Sequence, residues 1–338
     1  MQFDLSEDQQ DIKRTAHDLL ASRSGWEQVR RAAEAAAYDD ALWRELCALG
    51  WPGIAIGEEH GGQGLGIVEL CVLLEELGAA CAATPLLGSA LAGLALQHAG
   101  SDAQRERWLG ELASGAARGA LGIARDGVAE LVPDADGADV IVLIDGSDPG
   151  RPRGEVIEGG AQAVTAIDPT RRHGRVRTGG EPLEGEAGGG LARALVAVSA
   201  ELTGVSRRAL DMTVAYVKDR KQFGVPVGSF QAVQHRAAQM LLDTEGARAA
   251  TYFAAWTADA EPERLPMAAS MAKAWASEAA KATTAAAIQL HGGIGFTWEA
   301  DVHWLFKRAQ VGSRFLGGGA THRAAVAALL RPGAEVAA

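Results

Sequence analysis

The chain is poor in the groups that build metal centres and disulfide frameworks. It has three cysteines, Cys47, Cys71 and Cys81, all in apolar surroundings and none at a paired or metal-ligand spacing. That excludes a disulfide scaffold, offers no metal site, and fits core packing in a reducing compartment, the cytoplasm. No long basic run offsets the formal net charge of −11. This excludes a generic nucleic-acid binder but leaves room for a small anionic ligand at a local basic cluster. No run of roughly 18 apolar residues is present, so no membrane span is expected. The acidic opening MQFDLSEDQQDIKR has no apolar core and does not read as a secretory signal. No internal repeat is visible.

What is there is the composition of a globular protein: 338 residues, 48% hydrophobic and 22% charged, enough for one large domain or two to three small ones. Three textures follow one another. Residues 1–117 read as helical. EDQQDIKRTAHDLL places Ile12, Ala16, Leu19 and Leu20 on one face, ALWRELCALGW stops at Gly50, and IVELCVLLEELGAACA is apolar on nearly all sides, as a buried helix is. Ser101 suits an N-cap for a helix closing at Gly115. Residues 118–190 read as a small β domain with strands GALGIA, ADVIVLID, GEVIEGG and QAVTAI, separated by turn-rich DGSDPGRPRG, DPTRRHGR and EGEAGGG. The segment PGRPRGEVIEGGAQ suggests a mobile surface loop rather than a site. Residues 191–338 return to an Ala-rich helical pattern that favours close helix packing. The fold class is therefore α+β, mainly α.

Two stretches carry chemistry. In YVKDRKQFGVPVGSFQAVQHRAAQM (216–240) a helix is expected to end near Arg220, with Gly224 and Pro226 as breakers and Ser229 as the next N-cap. Lys218, Arg220 and Lys221 form the best basic cluster, and a planar guanidinium at such a corner suits a phosphate. It could equally satisfy helix-terminal carbonyls. In QLHGGIGFTWEADVHWLFKRA (289–309), Gly292, Gly293 and Gly295 follow a long helix. They could allow close backbone approach to a ligand or simply form a cap and turn. His291, Trp298 and Trp304 read as packing or interface residues, and Arg207 and Arg208 as solvated or interface charges.

Together these stretches resemble the acyl-CoA dehydrogenase family, as do ALGWPGIAIGEEHGGQGLG and GSDAQRERWLGELASG. The likeness covers nearly the whole chain and implies that family's order of domains, ending in a four-helix bundle. It also implies FAD-dependent α,β-oxidation of an acyl-CoA thioester, with electrons passed to an electron-transferring flavoprotein. In the family, residues matching Arg220, Gln222, Phe223, Gln289, Gly292 and Gly293 reach across a dimer to the neighbour's FAD.

The chain departs from the family where its own catalysis would lie. RFLGGGATHR (314–323) has no acidic residue, and Leu316 falls on the catalytic Glu, Phe315 on the preceding Tyr, Gly318 on a Thr and Ala320 on a Gln. The alternative base position falls on Ala194, its following arginine on Leu195. Leucine and alanine have no proton to exchange. In the β domain Ala124 replaces a flavin-contacting Thr, and a Trp-Ile-Thr segment has no counterpart. The contacts made in trans are kept and those made in cis are lost. The resemblance thus implies a subunit of a heteromeric, α2β2 dehydrogenase with a homologous catalytic partner, and a bulky substrate such as a steroid side-chain CoA thioester, as such split enzymes often serve. Two alternatives stay open: a homomer using Glu201 as a relocated base, and a scaffold or regulator that binds no flavin.

Overall fold

The structure, a computed structural model, describes residues 4–147 and 152–330. Six helices come first: α1 (Glu7–Arg23), α2 (Trp26–Ala35), α3 (Asp40–Ala48), α4 (Ile67–Ala80), α5 (Leu86–Ala99) and α6 (Asp102–Ser114). Capping boxes start α1 and α6, where Ser6 pairs with Gln9 and Ser101 with Gln104 through reciprocal side-chain to backbone bonds. Gly50 (φ +71°) and Gly115 (φ +75°) supply the left-handed residues that follow α3 and α6. Helices α4 and α5 are buried on nearly every side, as their apolar sequences predict. The exceptions in α4 are two buried carboxylates, Glu75 and Glu76.

The middle domain holds two small sheets. Strands β1 (Gly119–Ala124), β3 (Val140–Asp145), β4 (Gly154–Glu158) and β7 (Glu181–Pro182) lie side by side in that order, with β1 and β3 parallel. Strands β2 (Val128–Pro133), β6 (His173–Arg177) and β5 (Gln162–Val164) form the second sheet, antiparallel throughout. Several expectations need correction. The VAELVP run, not among the strands expected above, is β2; Asp126-Gly127, both at positive φ, makes the tight turn that sends β1 into it. Part of DPTRRHGR, read as a turn, is β6, because Gly174 and Val176 point inward while Arg175 and Arg177 point out. PGRPRGEVIEGGAQ contains a paired inner strand, β4, so it is not simply a surface loop; its residues 149–151 lie outside the described residues.

The last domain comprises α7 (Gly188–Asp219), α8 (Gln231–Ala260), α9 (Leu265–His291), α10 (Val302–Gly312) and α11 (Gly319–Leu329). It begins three residues before the expected boundary. Gly190 lies in the first turn of α7, where a Cβ would come within 2.9 Å of the Ala95 backbone, so glycine there lets α7 approach α5 closely. Helices α4 and α7 cross at touching backbones. A Cβ on Gly204 would stand 1.8 Å from the Glu75 carbonyl, and one on Gly78 would stand 2.1 Å from that of Glu201. This crossing sets the buried carboxylates of both helices beside the domain junction. The expected domain end, 331–338, lies outside the described residues.

Candidate functional site

The RKQFG corner is more than a helix stop. After α7, Lys221–Gln222 (β8) pairs antiparallel with Val225–Pro226 (β9), and Phe223 (φ +54°) with Gly224 (φ +82°) makes the two-residue turn. Phe223 stands at the tip, 93% exposed, its ring edge-on to Phe230 at 6.3 Å. Arg220, Lys218 and Lys221 are exposed beside it, and the Gln222 amide donates to its neighbour's carbonyl. Ser229 does not cap α8. It sits in a 3-10 turn, and its hydroxyl turns back to donate to the Pro226 carbonyl at 2.7 Å, leaving Phe230 as the cap residue.

The second stretch ends at the same place. Helix α9 stops at His291, and Gly292 (φ +64°) opens a single 3-10 turn to Phe296. A Cβ on Gly292 or Gly293 would meet nothing within 4 Å, so their backbone faces open space. His291 is buried; its Nδ1 lies 2.7 Å from the Ala287 carbonyl, and burial pulls its pKa below the usual value. Its ring stacks on Tyr216 at 4.4 Å. Tyr216 is one turn before Arg220, whose N–H donates to the Tyr216 carbonyl at 2.8 Å. The stack therefore holds the two motifs together at one end of the bundle. Arg220, Gln222, Phe223, Gln289, Gly292 and Gly293 all face outward there. Phe296 and Trp298 are also largely exposed, and residues 231–242 of α8 fully bury only Met240. Lys307 lies over the Trp298 ring at 4.1 Å, while Trp304 is packed inside. An outward apolar surface with basic side chains at its edge has the character of an interaction surface rather than of an enclosed pocket.

Neither candidate base position holds a carboxylate. Leu316 is buried, 6% exposed, in the loop between α10 and α11, and Ala194 is enclosed within α7. Glu201, the relocated-base candidate, is committed elsewhere. Its Oε1 accepts from Arg171 and from Arg308 Nη1, the latter at 2.9 Å. Arg308 Nε also donates to Asp168 at 2.7 Å, and its Nη2 to Thr170 and to the Ala82 carbonyl. Arg171 Nη1 reaches Asp134 at 2.7 Å; Asp134 in turn accepts from Tyr38 and from the Gly88 N–H in the first turn of α5. All five charged residues are buried. Burial alone would raise the Asp168 pKa, but Arg308, the Thr170 hydroxyl and Arg171 together outweigh it and hold the carboxyl below its usual value. Burial likewise pulls Arg308 down, and its anionic surroundings, Asp168 foremost and Glu201 among them, together more than compensate. A carboxylate oxygen shared by two guanidiniums is a structural acceptor, not a poised base.

A second buried set corrects the reading of Arg207 as a solvated charge. Arg207 donates to Glu76 at 2.9 Å, with Glu75 taken up by Tyr252 at 2.7 Å and Arg248 at 3.1 Å. Arg208 lies 5.6 Å over the Trp26 ring. Among the described residues no group of three or more potential metal ligands is assembled, and no helix is long and apolar enough to cross a membrane. The three cysteines are free thiols; burial raises the pKa of each, that of Cys81 to about 11.

A helical domain, a small β domain and a helical bundle, in that order, define the class: the acyl-CoA dehydrogenase architecture. The family models for the acyl-CoA dehydrogenase N-terminal and C-terminal domains match residues 6–116 and 187–330. The chain belongs to the acyl-CoA dehydrogenase family, whose cofactor is FAD. It is 40% identical over 314 residues to acyl-CoA dehydrogenase IpdE2 of Mycobacterium tuberculosis, covering 92% of this chain and 93% of that one. Among solved structures, the ChsE4–ChsE5 complex from Mycobacterium tuberculosis superposes with a TM-score of 0.87 at 26% identity, covering 98% of this chain and 99% of the matched one. The steroid acyl-CoA dehydrogenase Tcur3481–Tcur3483 gives 0.86 at 27% identity, covering 96% and 98%.

Proposed function

We propose that this chain is the non-catalytic subunit of a heteromeric acyl-CoA dehydrogenase, assembled as α2β2 with a homologous catalytic chain. The observation that carries the reading is a contrast within one molecule. The six residues matched to trans FAD contacts stand together and uncovered, while Leu316, Ala194 and Glu201 offer no base. The likeness to the two-component ChsE4–ChsE5 and Tcur3481–Tcur3483 proteins supports it. The second of these is called a steroid enzyme, which supports a bulky acyl-CoA such as a steroid side-chain CoA thioester as substrate.

The residues present fit half of a dinucleotide site. Arg220 offers a planar donor pair to a pyrophosphate. Phe223 and Gln222 would lie alongside it, and the open backbone at Gly292–Gly293, next to Gln289, leaves room for the adenosine portion. When bound, FAD accepts the hydride removed from the substrate. The base that takes the α proton, the flavin cradle and most of the thioester pocket belong to the partner. This chain supplies binding and orientation and closes the site against water. Electrons leave to an electron-transferring flavoprotein, and the assembly works in the cytoplasm.

The test is the visible flavin spectrum of the chain purified alone and after co-expression with a neighbouring acyl-CoA dehydrogenase gene product. The expected result is a colourless lone chain and a yellow, stable complex with one FAD per pair of unlike chains. Stoichiometric FAD on the chain alone would overturn the proposal.

A further inference from the structure

Past Gly292 and Gly293 the 3-10 turn runs on to Phe296, and Trp298 follows two residues later. Its indole is 70% exposed, yet it is not free to swing. The buried His303 meets it edge-on with ring centroids 4.9 Å apart, and the buried Trp304 lies at 6.0 Å. The Lys307 ammonium stands 4.1 Å from the Trp298 centroid and 4.6 Å from that of Trp304. Three neighbours on α10 thus hold one side of the ring, and the other side is open. An exposed ring held in this way has already lost the rotamer freedom that binding would otherwise take from it.

The charge around the platform is one-sided. Lys307 makes no ion pair among the described residues and is held by the two rings alone. Of the carboxylates close by in the chain, Asp301 is taken by Arg30 at 2.7 Å and Glu299 by the Thr297 hydroxyl. Lys218, Arg220 and Lys221 are exposed at the same end of the bundle and outnumber Asp219 among them. A cation against the inner face of an indole draws π density toward itself. The outer face is then suited to an electron-rich heteroaromatic ring and unsuited to a second cation. Phosphates carried by that ring would meet the basic side chains, whereas an aliphatic protein segment would cover the indole and leave the charges unmatched.

We infer that Trp298 is the stacking platform for the base of a purine nucleotide whose phosphates are met by the basic side chains at that end of the bundle. In the half-site proposed above this is the adenine end of FAD; the adenosine of a CoA thioester has the same chemistry. The inference rests on that reading only for the source of the nucleotide, because ring, cation and open backbone all belong to this chain.

Saturation-transfer NMR of the full chain with AMP reads base and sugar separately. The adenine protons should take up the strongest signal and ribose 5-phosphate little. Trp298→Ala should cut the adenine signal at least about fivefold, the low end of a base–aromatic stack. Trp298→Phe should keep most of it, and so should Phe223→Ala, which removes the other exposed ring. Both sites are on the surface, so the fold survives these changes. The FAD-loaded, co-expressed complex separates the sources. If the base is that of FAD, the AMP signal is absent there; if it is that of CoA, the signal persists and CoA displaces it. An adenine signal no stronger than that of the ribose, one that survives Trp298→Ala, or one abolished by Phe223→Ala alone would overturn the inference whether or not a partner exists. A Trp298-dependent signal from a chain that forms no complex would count against the heteromeric reading and leave the platform standing.

Discussion

Replacing Arg308 by Met should be the more damaging of two changes in the buried charge cluster, and replacing Glu201 by Gln the milder. The cluster holds two guanidiniums, Arg171 and Arg308, against three carboxylates, Asp134, Asp168 and Glu201. Arg308→Met leaves one cation facing three buried anions. Removing one partner of a buried pair costs about 3–5 kcal/mol, because the other charge is stranded. Glu201→Gln leaves two cations and two anions and gives up charge-assisted hydrogen bonds without stranding a net charge, at about 1.5–3 kcal/mol. A 338-residue chain has an unfolding entropy of about 0.7 kcal/mol/K, so the expected falls in Tm are about 4–7 °C and about 2–4 °C. The double variant should cost less than the two singles added, by at least about 1 kcal/mol, since both act on one oxygen. Thermal and urea unfolding followed by circular dichroism at neutral pH would measure all three. The reasoning fails if Glu201→Gln is as costly as Arg308→Met, or if neither shifts Tm by a degree. It also fails if Glu201→Gln abolishes dehydrogenation by the assembled enzyme while its stability is unchanged, since that result would make Glu201 the base.

Arg220→Ala and Phe223→Ala, both at exposed positions, should leave the unfolding free energy of the lone chain within about 0.5 kcal/mol of wild type yet lower the FAD content of the co-expressed complex, read by absorbance. Leu316→Glu should give no acyl-CoA oxidation by the lone chain and should lose about 1.5–3 kcal/mol of apolar burial; oxidation without a partner would sink the two-subunit reading. Asp168 and Glu76 both have lowered pKa values: burial opposes the shift in each, but Arg308, Thr170 and Arg171 around Asp168, and Arg207, His17 and Lys13 around Glu76, together overcome it. The stability they contribute is present above the ordinary carboxylate range and lost as pH falls through their folded values. Acid unfolding should therefore steepen below about pH 4, and Arg308→Met should flatten that limb.

Much of this was legible in the sequence, for specific reasons. Glycine and proline punctuation at Gly224, Pro226, Gly292 and Gly293 marked the two turns at that end of the bundle, because these residues state their backbone requirement locally. Long amphipathic and Ala-rich runs marked the helices. The buried charge cluster was not legible, since Asp134, Asp168, Arg171, Glu201 and Arg308 are far apart in sequence and each looks like an ordinary surface charge. Strands β2 and β6 were hidden because Glu130, Leu131, Arg175 and Arg177 face outward and mimic loop composition. Lys273, buried in α9, was masked by the Ala-rich helix around it, which gives no sign of the Gly312, Ser313 and Gly317 carbonyls converging on its Nζ.

The Tyr216–His291 stack acts as a ruler between two helices that share no loop at that end. An inserted residue turns an α-helix by about 100° and lengthens it by about 1.5 Å. One insertion within α7 or α9 would thus swing one ring away from the other and carry RKQFG out of step with QLHGG. The short turn Pro262–Arg264, at the far end of α8, carries no such constraint. Lengths should accordingly be locked in the two helices together and free in that turn, so that changes in chain length between relatives collect where the ruler does not reach.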